Sequence, residues 1–87
     1  MKFIQIQNKM LNLKKIIAFD ATVGIRFRNS ITGKEKVVTN YFFVVHFSDI
    51  NGVDVESGFY FWYQPNNKEE AYADHKKVLG ALNELSS

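Results

Sequence analysis

The sequence has no cysteine, one proline and only five scattered glycines. Without cysteine there are no disulfides and no thiolate metal sites, which suits a reducing cytoplasm. With so few breaker residues there is no linker, no internal repeat and no low-complexity segment. No run approaches the roughly 18 apolar residues that a membrane span needs. The opening MKFIQIQNKM has neither an apolar h-region nor a small-residue cleavage site. A soluble, cytoplasmic protein with no membrane partner is therefore expected. The net charge of +2 is too small on its own to imply nucleic acid or an anionic surface.

Catalytic signatures are also missing. There is no HExxH, no GxSxG and no Walker-type glycine loop; Gly33-Lys34 follows Thr32, but no second glycine precedes it at the required spacing. The two histidines are His46 and His75. His75 falls on the flank of an apolar helical face, as boundary core residues do. His46 is expected opposite Glu56 as a cross-strand polar pair, and two candidate ligands with Asp54 nearby do not define a metal site. Asp54 and Glu56 share a strand face, the ordinary pattern of a solvated strand. No catalytic residues, metal or cofactor are expected, and a binding module is expected rather than an enzyme.

What the chain does have is aromatic content, 15% of its 87 residues. Its length and its 46% hydrophobic content suit one domain, 1–87, with a single modest core. Residues 3–7, FIQIQ, form a short strand with Ile4 and Ile6 on one face, and NKMLNL continues or turns it. From Ile17 to Arg28 apolar residues alternate: Ile17, Phe19, Ala21, Val23, Ile25 and Phe27. This is the period of a half-buried strand, long enough that Gly24 is expected to bulge or bend it. NSITG (29–33) reads as a hairpin loop, and the next strand runs from about Glu35 to Phe47.

DING (49–52) suits a type I turn with a G1 bulge. That turn sets Phe43 opposite Phe59, Phe42 opposite Tyr60, Trp62 opposite Asn40, and His46 opposite Glu56. A two-residue Asn-Gly turn would send every side chain of the last strand to the other face. The bulge is preferred because it leaves Asp54 and Glu56 in solvent. Pro65 ends the strand. Asn67, with Glu70 three residues on, resembles a capping box opening a helix to about Leu85. Ala71, Tyr72, His75, Val78, Leu79, Leu82 and Leu85 share its apolar face. The expected fold is α+β: a four-stranded antiparallel meander, then one C-terminal amphipathic helix packed on the face of Phe43, Val45, Phe59 and Phe61.

The opposite sheet face then carries Phe42, Val44, Tyr60 and Trp62. Arg26, Arg28, Lys34 and Lys36 lie toward one tip; His46, Asp54, Glu56 and Asp20 lie toward the other. Monomers seldom leave such a ring patch in water. A homodimer burying the rings behind a charged rim is the leading expectation. The alternative is single-stranded nucleic acid, with bases stacked on Phe42, Tyr60 and Trp62 and phosphates held by the four cations. A protein partner or a small apolar ligand on a curled sheet is the third.

In its order of elements, strands in a meander and then a helix, the chain resembles single-stranded DNA-binding modules of the Whirly and transcriptional-coactivator type. That resemblance implies a curved sheet with aromatic and basic residues, used in dimers or higher oligomers. Separately, LNLKKIIAFD (11–20) is similar to a segment of small bacterial and phage proteins in which an Asn-containing turn precedes an apolar strand. It implies no activity.

Overall fold

The computed structural model describes residues 3–47 and 57–86. The fold is α+β, with antiparallel sheets and a C-terminal helix. The strands are β1 (Phe3–Ile6), β2 (Lys9–Asn12), β3 (Ile16–Phe19), β4 (Gly24–Asn29), β5 (Lys36–Phe47) and β6 (Ser57–Tyr63). Short 3-10 turns occupy Leu13–Lys15 and Pro65–Asn67, and the helix α1 covers Lys68–Ser86.

The sheets are not a simple four-stranded meander. β1 and β2 form their own hairpin, Ile6 pairing with Lys9. Its two-residue turn places Gln7 at φ 55°, the positive value that a II′-type hairpin requires at its first central residue. Gln7 is an unusual choice there, so the sequence carries no turn signal. The Gln7 side chain has a second role: its Nε2 donates to the Trp62 carbonyl at 3.0 Å, tying the small hairpin to β6.

The main sheet is built on β5. Val45 pairs with Phe19 on one edge and Phe59 on the other; Tyr41 pairs with Ile25 and with Tyr63. β3 and β4 therefore lie end to end along one edge, and β6 lies along the other. The continuous strand expected from Ile17 to Arg28 is split in two at Asp20–Val23. Asp20 accounts for the break. Its amide donates to the Val44 carbonyl at 3.3 Å, and its own carboxylate Oδ2 accepts the Val44 N–H at 3.0 Å. A side chain replaces a main-chain partner, so the chain can leave the ladder without orphaning a half-buried amide.

The register of β5 with β6 also departs from expectation. Phe43 pairs with Phe61 rather than Phe59, Phe42 with Trp62, and His46 with Gly58. The difference is two residues. Because the side-chain period is two, every residue keeps its face. The DING turn, Asp54 and Glu56 lie outside the described residues.

The core sits between this sheet, the small hairpin and α1. Phe43, Val45 and Phe61 are fully buried with Ala71 and Val78 of the helix and Ile6 of the hairpin. The buried helix positions are 71, 75 and 78, with Leu82 partly buried. Tyr72 and Leu79 stay substantially exposed, so the apolar face is narrower than the sequence suggested. The helix is entered from the 3-10 turn, with Pro65 in its first turn, instead of from an Asn67 capping box. Pro65 fits there because its ring presets φ and it lacks only an N–H that would be unpaired anyway.

Tyr63 anchors the start of the helix. Its hydroxyl donates to Asp74 Oδ2 at 2.7 Å. Burial, and then that bond, hold its phenol well above the usual tyrosine range. The folded state thus favours the protonated form: the stabilisation is fully present below the unfolded tyrosine value near pH ~10 and declines as pH rises beyond it. Tyr63→Phe is expected to cost about 1.5 kcal/mol at neutral pH, the low end for a charged hydrogen bond because Asp74 is half-exposed. Urea titrations at pH 8 and pH 11 check this. The gap between wild type and variant should shrink at the higher pH, and a gap that widened would contradict the assignment.

Candidate binding face

The outer face of the main sheet has nothing over it among the described residues. Even-numbered β5 residues from Asn40 to His46 point there, with Tyr60 and Trp62 of β6. Phe42 is the hub. Its ring lies 5.1 Å from Trp62 and 5.9 Å from Tyr60. Tyr60 and Trp62, two apart on one strand, stack at 5.5 Å and 11°. They remain 50% and 42% exposed, which is high for rings already in contact with each other.

Gly24 makes this arrangement possible. A Cβ at that position would stand 2.6 Å from the Phe42 ring, which lies across it. The glycine is there for close approach, not for the bend expected from sequence. Gly58 plays the same part at the other end, where the His46 ring and Val44 lie over it.

The seven residues singled out from sequence do not all converge. Phe42, Tyr60 and Trp62 do, and Arg26 joins them with its guanidinium 5.6 Å from the Trp62 ring. Arg28 shares that face of β4 two residues further out, paired with Val37. Lys34 is exposed in the loop between β4 and β5. Lys36 is elsewhere: its ammonium lies 5.9 Å over Phe27. The cause is a register shift between Arg26 and Phe27, which pair with Asn40 and Val38 and skip Thr39. The Thr39 hydroxyl donates instead to the Arg26 carbonyl at 3.2 Å. Beyond the shift, β5 side chains change face. Val38 packs against the core cluster, so Phe27 and Lys36 lie on the core side.

The acidic end is also altered, since the Asp20 carboxylate is spent on the Val44 amide. His46 is partly buried, paired with Gly58. His75 is buried on the opposite side. Its Nε2 donates to the Asp20 carbonyl at 2.8 Å, and its ring stacks on Phe19 at 4.7 Å. Sequence reasoning put it at the boundary, but the interrupted strand brings a carbonyl to it. No cluster of three or more metal-ligating side chains occurs among the described residues.

A shallow apolar cavity of about 510 Å³ lies at the other end, lined by Leu13, Lys14, Ile16, Leu82 and Leu85. Its lining offers one charged side chain and no convergent polar set of the kind that orients a small ligand. No helix among the described residues is long and apolar enough to cross a membrane. No protein-family model, curated protein or solved structure matches the chain.

Proposed function

We propose that the protein is a non-enzymatic binding module that self-associates through its outer sheet face. The carrying observation is the contiguous, exposed set Phe42, Tyr60 and Trp62. These rings pack against one another, and Phe42 lies across Gly24, so less side-chain entropy remains to be lost on association than for isolated surface rings. Exposed aromatic clusters of this kind form the centres of interfaces, and Arg26 and Arg28 would stand at the rim. Trp62→Ser is expected to weaken the dimer at least about thirtyfold, as loss of a central tryptophan does. Light scattering over a concentration series checks it. A wild-type chain that stays monomeric at 100 μM would remove the proposal.

The second reading is single-stranded nucleic acid on the same rings, in line with the resemblance to Whirly-type modules. The observation favouring it is the parallel Tyr60–Trp62 pair beside Arg26. Quenching of Trp62 fluorescence by a short single-stranded oligonucleotide, relieved by salt, would favour it over self-association.

A further inference from the structure

The molecule is elongated, 48 × 27 × 22 Å, with a radius of gyration of 15.1 Å against about 12 Å for a compact chain of this length. The hairpin formed by β4 and the first part of β5 contributes to that excess. Toward the tip, Arg28, Asn29, Lys36 and Val37 have no strand partner except one another. Its loop is tightly bonded: Gly33 N–H donates to the Ser30 carbonyl at 2.9 Å, and Ser30 N–H to the Glu35 carbonyl at 2.8 Å. Gly33 takes φ 73°, as the turn requires. This rigid tip presents Ile31 fully to solvent, at 102% exposure.

Residues 24–40 hold four cations and one carboxylate, a net +3 in a chain whose total is +2, so the remainder carries −1. None of the four is ion-paired among the described residues. The register shift distributes them over both broad faces of the ribbon: Arg26 and Arg28 on one, Lys36 on the other, Lys34 at the tip. A flat platform for a single strand needs its cations on one face. A ribbon entering a groove needs them on both, because a phosphate wall stands on either side.

We propose that the β4–β5 hairpin is an arm for double-stranded DNA. A two-stranded ribbon fits the major groove, which is about 12 Å wide and 8.5 Å deep. Ile31 sits in the turn past Arg28 and Lys36, at most about 10 Å beyond Arg28 at full strand rise, so it reaches toward the groove floor while Arg26, Arg28, Lys34 and Lys36 meet phosphates along the groove walls. Ile31 supplies an apolar contact to base edges, and the four cations supply a sequence-independent attraction. This does not depend on self-association through the ring face.

The test is fluorescence anisotropy of a labelled 20-base-pair DNA duplex with the full chain, from 50 to 300 mM NaCl. Neutralising four phosphates predicts a slope of log K against log salt of about −3.6. Lys34→Gln with Lys36→Gln should bring the slope to about −1.8 and weaken binding between tenfold and a hundredfold at 100 mM salt. Ile31→Ser should weaken it without changing the slope. Tyr72→Ser, at an exposed helix aromatic that neither the arm nor the ring face uses, should leave duplex binding unchanged. All three surface sites are exposed, and circular dichroism confirms folding. No binding, binding to a single-stranded oligonucleotide only, or binding only to vesicles of phosphatidylserine and phosphatidylcholine would each overturn the proposal.

Discussion

Phe43→Ala should cost about 3–5 kcal/mol, the range for removing a fully buried phenylalanine ring. Phe43 has no exposed surface. Its ring contacts Phe61 at 5.1 Å, Phe19 at 5.7 Å, Tyr63 at 5.9 Å and His75 at 5.6 Å. These partners come from β3, β6 and α1, so the cavity would open where three elements meet. None of them can collapse into it without moving a strand or the helix, which places the cost toward the upper end. A small domain has about 5–15 kcal/mol in all. Guanidinium denaturation should show the midpoint falling by a third or more, with an unchanged slope. A loss below about 1.5 kcal/mol would mean that the core is not closed around this ring.

His75→Ala is expected to cost about 2–4 kcal/mol, and for two separable reasons. The ring fills space between Phe19 and Phe43, and its Nε2 satisfies the carbonyl of Asp20 at the strand break. Truncation leaves a cavity and an unpaired half-buried carbonyl together. His75→Phe keeps the ring and loses the bond, so it should cost roughly 1–2 kcal/mol. The same denaturation series reads both. Equal losses would assign the whole effect to the hydrogen bond, and a harmless phenylalanine would assign it to packing.

Period-two alternation made the faces legible. Phe43, Val45, Phe61 and Tyr63 on one side, and Phe42, Tyr60 and Trp62 on the other, follow from sequence parity. That is why a two-residue difference in the β5–β6 register left them in place. Helical spacing likewise marked Ala71, His75 and Val78. What sequence could not show were the places where one side chain does a backbone's work. The Asp20 carboxylate filling a ladder position looks like any polar residue in a strand. Gln7 at positive φ looks like a strand residue. Thr39, bonded to the Arg26 carbonyl, gives no sign that alternation stops there, and Lys36 changed sides as a result. The ring set of the candidate site was therefore readable, and the distribution of its cations was not.

β5 is the strand shared by β3, β4 and β6, yet its two halves live in different circumstances. From Tyr41 onward it has a neighbour on each edge and the helix beneath. From Lys36 to Asn40 it pairs with β4 alone, apart from the Asn40 side chain, whose Nδ2 donates to the Tyr63 carbonyl of β6 at 3.4 Å. Opening of the molecule should therefore be graded along one strand. The outer segment can detach and re-form while the inner block stays closed, because no contact of the core depends on it beyond Val38. The inner block has no such partial state: β6 pairs along all of Tyr41–Phe47, β3 pairs with Val45–Phe47 within it, and α1 packs on the same strand, so they unfold together or not at all.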